Sequence, residues 1–271
     1  MKKYILFFVF TISGLMCNSL LALAQEARAD NVEVIVLSHK QKGDSLYTAK
    51  KYAEAKNEYV EAMNIARENS LGVSAEIYYN LGNAYYRLDS VAKSILFYER
   101  AYLLQPSNKD VEHNLVISRA KAKDKILLVP EIFLVRWFNA LASNFSYDQS
   151  AVIAIVSFIL MLIAFAIYLI SNKDKLRRAF LASVFALLFV TVLFNLFAYQ
   201  RYKEVETKDK AIIMAPSITV RSTPDDSGNS LFILHEGTKV ALTGQELSGW
   251  CEIKLSDGKI GWLPVKAIEI I

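Results

Sequence analysis

The chain has 271 residues, more than half of them hydrophobic, and a positive mean hydropathy; this balance suits soluble parts carried on a membrane segment better than one globular domain. Its formal net charge of +4 is spread along the sequence, and no basic block is interleaved with aromatics as a nucleic-acid groove needs, so nucleic acid is set aside as a partner. Cys17 and Cys251 are the only cysteines, and His39, His113 and His235 lie far apart, so neither a cysteine metal cluster nor a histidine ligand spacing is present and no cofactor is expected.

Met1–Ala24 joins a basic start, Lys2 and Lys3, to an apolar run and then to Ala22-Leu23-Ala24, the small-x-small pattern of a signal peptidase site. The pattern predicts a signal peptide over 1–24, cut before Gln25. An uncleaved anchor is the alternative, because Ile5–Ala24 is long for such a segment. A lipid attachment at Cys17 is disfavoured by the bulk of Met16. In either case the residues after Ala24 are delivered outside the cytoplasm.

Between Ala75 and Asn108, Tyr78, Leu81, Gly82 and Tyr85 recur at helical spacing, as do Ser94, Tyr98 and Ala101, and Pro106 closes the run. The pattern predicts a helical hairpin that turns near Asp89-Ser90, with Gly82 and Ser94 small enough for close helix approach. This 34-residue unit resembles a tetratricopeptide repeat, with Ser94 where that family usually has alanine. A degraded copy precedes it: Gly43 stands for Gly82, Ala55 for Ser94, Tyr59 for Tyr98 and Ala62 for Ala101. Its second helix is expected to stop at Asn69-Ser70-Leu71-Gly72. Val32–Leu37 is β-branched enough for a strand, but the register makes it the start of the first helix. Asn108–Lys125 is expected to cap the array, with Val111, Leu115, Val116 and Ile117 inward. The repeat domain is placed at 25–127.

In tetratricopeptide proteins the first helix of each repeat lines a concave groove for a partner peptide. The resemblance therefore points to Tyr79, Asn83, Tyr86 and Arg87 as candidate partner-binding residues. Arg87 and Asn83 suit a carboxylate or a backbone group, and the tyrosines suit a side chain. An ordinary solvated face is the competing reading.

Residues 128–149 carry Ile132, Phe133, Trp137, Phe138 and Leu141 on a broad apolar face, which suits a membrane interface or one more packing helix. Two uncharged runs follow, with spans placed at 150–170 and 179–199, each about the length that crosses a bilayer as a helix. The connection 171–178 holds Lys173, Lys175, Arg177 and Arg178, and predicts a cytoplasmic turn under the positive-inside rule. Both flanking blocks then lie on the extracytoplasmic (periplasmic) side of the inner membrane, in contact with lipid. Thr191, Asn195 and Ser183 give the spans polar groups but nothing that ionises, which argues against a transporter.

After a charged linker at 200–210, residues 211–271 switch to short β-rich runs separated by turn residues, with Asp257-Gly258 the strongest hairpin signal. A small barrel is expected, with Cys251, Ile253 and Leu255 facing its core. Thr219–Pro224, Leu234–Gly237, Gly249-Trp250 and Asp257–Trp262 resemble bacterial SH3-like domains, some of which bind cell-wall peptides. Trp250 and Trp262 are the candidate ligand face, with plain packing as the alternative. His235 is read as a turn residue with no acid–cysteine context.

The fold expected is thus multidomain: an α-helical tetratricopeptide array, a two-helix transmembrane hairpin and a small all-β SH3-like barrel. This order, together with Asp110–Leu115, Pro130-Glu131 and Phe133–Trp137, resembles the BatE branch of the Bacteroides aerotolerance (Bat) family over nearly the whole mature chain. The resemblance implies an envelope protein acting with other Bat membrane proteins. Three functions compete: a non-enzymatic scaffold, a module that binds or senses peptidoglycan peptides, and an enzyme. The enzyme is set aside because no segment is left to house a nucleophile beside a base.

Overall fold

The structure, a computed structural model, describes residues 30–125 and 133–271, in two compact units divided between Asp89 and Ser90. The predicted signal peptide, Pro130-Glu131 and Ile132 lie outside the described residues.

Among its described residues the first unit holds three helices: α1 (30–48), α2 (Tyr52–Glu68) and α3 (Ala75–Arg87). The β-branched run 32–37 is helical, so the repeat register outweighs local propensity there. Lys50, at φ +62°, reverses the chain between α1 and α2. The two helices close on Gly43: a Cβ built there would lie 2.5 Å from Tyr59 Cε1, so no larger residue fits. Ala55, Tyr59, Ala62 and Ala66 recur every three or four residues and are buried. The Tyr59 hydroxyl donates to Asp44 at 2.8 Å, which satisfies its polar end. α2 stops where Ser70 turns left-handed (φ +57°) and the Leu71 N–H donates back to the Ala66 carbonyl at 2.8 Å. α3 starts at Ser74, whose hydroxyl accepts from the Ile77 N–H at 3.3 Å.

The second unit begins with α4 (Val91–Leu104) and α5 (Lys109–Lys121). Eight of the first eleven residues of α4 are buried, so it is covered on more than one side. Ser94 shares a hydrogen bond with Ser118 of α5 at 3.2 Å, giving the hydroxyl that replaces alanine a partner. Asn108 caps α5, its side-chain oxygen accepting from the N–H groups of Asp110 and Val111. Val111 and Leu115 face inward as expected, but Val116 and Ile117 are exposed. The buried set continues at Ser118 instead, because the inner stripe of a helix returns every three or four residues.

α6 (Phe133–Ala142) sets Phe138 edge-on against Phe197, with ring centres 5.0 Å apart, and leaves Phe133 and Trp137 exposed. α7 (Tyr147–Ile170) opens on a capping box in which Ser146 and Gln149 satisfy each other's backbone N–H. α8 (Asp174–Glu206) packs along it. Both are long and apolar enough to cross a membrane. Ser157, passed over in the sequence, shares a hydrogen bond with Thr191 at 2.9 Å between the two helices. The connection is only residues 171–173, shorter than expected, and the helix runs on into the expected linker as far as Glu206. The residues flanking the apolar stretch, Lys175–Arg178 and Gln200–Glu206, are mostly good helix formers, so the backbone ladder continues past it. Arg201 is buried, pairs with Glu204 and donates to the Leu103 carbonyl at 2.7 Å, which ties the end of α8 to the end of α4.

The C-terminal domain is a seven-stranded antiparallel sheet in the order β3-β2-β6-β5-β4-β1-β7. Its strands are β1 (Lys210–Ile213), β2 (Ser217–Arg221), β3 (Ser230–His235), β4 (Lys239–Leu247), β5 (Trp250–Lys254), β6 (Ile260–Pro264) and β7 (Ile268–Ile270). β7 was not anticipated; it pairs with β1 after a short 3₁₀ turn. Strands β1 to β6 all supply one core through residues such as Ile213, Val220, Ile253 and Leu263, so the sheet must curl around it. Cys251 lies in that core, where burial pushes its thiol up to about 11. The chain is therefore a helical repeat array, two apolar helices and an all-β domain.

Candidate functional site

Tyr79, Asn83, Tyr86 and Arg87 occupy one stripe of α3, with the first three half-buried and Arg87 exposed. Arg87 Nε donates to the Tyr47 hydroxyl at 3.4 Å, and its guanidinium lies 5.8 Å from the centre of the Tyr52 ring. Tyr47 and Tyr52 meet edge-to-face at 5.1 Å. These contacts hold Arg87 beside an aromatic pair on an exposed part of α3. One turn back, Asn80 donates to Asp44 at 2.9 Å, and Lys40 bridges Asp44 at 3.2 Å and Glu76 at 2.5 Å. Burial pushes the Lys40 ammonium down, but Glu76 and Asp44 outweigh it and hold its pKa above the ordinary value. Lys40 is thus committed internally, whereas Arg87 lies exposed beside Tyr47 and Tyr52.

The contribution of α1 to this face was missed. It was legible: shifting Tyr79, Asn83 and Tyr86 by the 39 residues between Gly82 and Gly43 lands on Lys40, Asp44 and Tyr47.

On the sheet, Trp250 pairs with Pro264, and Trp262 pairs with Glu252 on β5 and Arg221 on β2. Strand alternation therefore places both tryptophans, Glu252 and Arg221 on the face opposite the core. Both tryptophans are half-buried. Glu252 accepts from the Thr243 hydroxyl at 2.7 Å.

A third cluster joins α4 and α5 to the sheet within the second unit. Glu99, only 2% exposed, is paired with Arg119 of α5 and accepts from Lys239 of β4 at 2.7 Å. Burial pushes its carboxyl up, but Lys239 and Arg119 reverse this and hold it below the ordinary range. Asp124 accepts from the His235 N–H at 2.7 Å, the His235 ring at 2.7 Å and the Thr238 hydroxyl at 2.8 Å. His235, expected in a turn, instead ends β3, and Asp124 is the acid beside it; a partner 111 residues away carries no local signal. Gly237, at φ +83°, sits so close to the helices that a Cβ would fall 2.9 Å from Ile95 Cδ1. Arg100 adds a bond to Glu269 at 3.1 Å. Both carboxylates, Glu99 and Asp124, are thus met by partners within the fold. Among the described residues, no three His, Cys, Asp or Glu side chains gather as a metal site.

Comparison with known proteins bears on the first of these sites. The tetratricopeptide repeat family profile matches residues 75–108, which include the whole of α3. No curated protein matches the chain. Among solved structures, the first tetratricopeptide domain of Spaghetti (RPAP3), bound to the HSP90 peptide SRMEEVD, is 17% identical; the match covers 57% of this chain and 96% of that one, with a TM-score of 0.28. A likeness that loose carries no argument about this chain. The profile match identifies residues 75–108 as a tetratricopeptide repeat, a structure that serves as a scaffold for protein interaction.

Proposed function

We propose that this protein is a non-enzymatic, membrane-held adaptor of the cell envelope that captures a protein partner on the α3 face. The observation that carries the reading is that the tetratricopeptide match falls on α3, whose Arg87 is exposed and held upright by Tyr47 and Tyr52. A carboxylate or main-chain carbonyl of an extended peptide suits that guanidinium, and Tyr79, Asn83 and Tyr86 supply the flanking surface. Helices α7 and α8 are read as the anchor, with exposed Phe133 and Trp137 of α6 lying at the lipid interface. Partners are expected among Bat-type envelope membrane proteins. The test is co-purification of the full-length protein from cross-linked membranes. Wild type should bring down a defined partner, and Tyr79→Ala with Arg87→Ala should lose it. Undiminished recovery by the variant would place the binding surface elsewhere.

A second reading follows from the sheet. The shared outer face of Trp250 and Trp262, flanked by Arg221 and Glu252, suits a cell-wall peptide, as in the SH3-like domains that this region resembles. Sedimentation of the full-length protein with peptidoglycan should drop on Trp250→Ala with Trp262→Ala if that surface binds.

A further inference from the structure

At the end of the hairpin that carries the short connection, Tyr168 of α7 and Asp174, Arg177, Arg178 and Leu181 of α8 line a recess of about 250 Å³. The Arg177 guanidinium lies 5.1 Å from the centre of the Tyr168 ring, so its plane is steadied by the aromatic face. Neither Arg177 nor Arg178 forms an ion pair among the described residues, and Asp174 is the one acid in the lining. Two guanidiniums, each a fork of donors that fits a phosphate, thus open on one recess with a net positive charge. Leu181 and the Tyr168 ring form its apolar wall. A ligand that fits has a singly anionic phosphate at one end and hydrocarbon at the other.

We propose that this recess binds the headgroup phosphate of an anionic phospholipid. The inference rests on the reading of α7 and α8 as membrane spans. That reading places the recess where an apolar helix meets the headgroup layer, the depth at which basic pockets between helices take up lipid headgroups. Diffuse attraction of a basic loop to the membrane surface depends only on charge count. A built recess depends on which cations are removed, and this separates the two.

The experiment uses the full-length protein in nanodiscs of phosphatidylcholine with and without phosphatidylglycerol, with native mass spectrometry reading the lipid that stays bound. Wild type should retain phosphatidylglycerol in preference to phosphatidylcholine. Arg177→Gln with Arg178→Gln should lower that retention by roughly 10- to 30-fold, the effect of about two basic contacts. Lys173→Gln with Lys175→Gln removes the same charge outside the recess and should lower it distinctly less, because neither lysine lines the recess. Equal loss in both variants, or no preference in wild type, would overturn the site. Inorganic phosphate binding the delipidated protein as tightly as the lipid would also overturn the assignment to lipid. Alkaline carbonate extraction of native membranes tests the underlying reading separately. Release of the chain there removes the membrane reading and this site with it, whereas retention without lipid selectivity removes this site alone.

Discussion

The face of α3 and the junction of α4, α5 and the sheet are built from the same kinds of residue but have opposite fates. At the junction Glu99 is buried, and its charge is fully met by Arg119 and Lys239. On α3 Arg87 is exposed, with a hydroxyl at 3.4 Å and a ring at 5.8 Å and no ion pair among the described residues. Burial makes the difference. A charge taken out of water must be paired within the fold, and breaking that pair costs far more than the pair is worth on the surface. A charge left in water is cheap to expose and so remains open to a partner. Charge alone therefore does not distinguish the two regions; its burial and pairing do.

The contrast is broken most severely by Glu99→Gln. Removing one member of a buried charge cluster should destabilise the second unit by about 3–5 kcal/mol in denaturant unfolding of the full-length protein. Glu99→Met with Lys239→Met should recover part of the loss, because it leaves fewer buried charges unpaired. Next in size is Gly43→Ala. Its Cβ meets the Tyr59 ring at 2.5 Å, so overpacking should cost about 1–3 kcal/mol in the first unit. An unchanged melt would argue against the register that aligns Gly43 with Gly82.

The junction also predicts a direction with pH. Asp124 is pushed up by burial but more strongly lowered by the bonds from His235 and Thr238, so its carboxyl, like that of Glu99, lies below the ordinary range. Groups depressed in the fold contribute stability that is present above their unfolded pKa and is lost as pH falls through the folded value. Unfolding monitored between neutral and acid pH should therefore show the second unit weakening below the ordinary carboxylate range. Glu99→Gln should flatten that dependence. The smallest effect on stability belongs to Tyr79→Ala with Arg87→Ala, about 1 kcal/mol in all, since Arg87 is exposed and Tyr79 half-buried. Partner capture, not the melt, is where that variant should fail.

Much of the architecture was legible because it is periodic. Gly43, Ala55, Tyr59 and Ala62 stand at the spacings of the better repeat, and the structure buries them. The alternation of Trp250 and Cys251 set one outward and the other into the core. Long-range pairing was not legible. Asp124 and His235, or Glu99 and Lys239, lie more than a hundred residues apart, and nothing in either neighbourhood names the other. α8 outruns its apolar stretch at both ends because a charged residue ends a hydrophobic span but does not end a helix. The α1 side of the candidate groove was within reach, since the register that aligned the glycines also aligned Asp44 with Asn83 and Tyr47 with Tyr86.

The central claim is an adaptor held by a hairpin that displays both soluble parts on one side of a membrane, and thiol labelling of intact cells with a membrane-impermeant reagent tests it most directly. Cys251 should stay silent, being buried with its thiol pushed up to about 11, so introduced cysteines can be read against a low background. Where an outer barrier is present, it is opened first. A cysteine at Asp226, exposed in a turn of the sheet domain, should label in intact cells, and one at Asn172, in the connection between α7 and α8, should label only after lysis. Labelling of position 172 in intact cells with protection of position 226 would contradict the arrangement and the envelope function built on it.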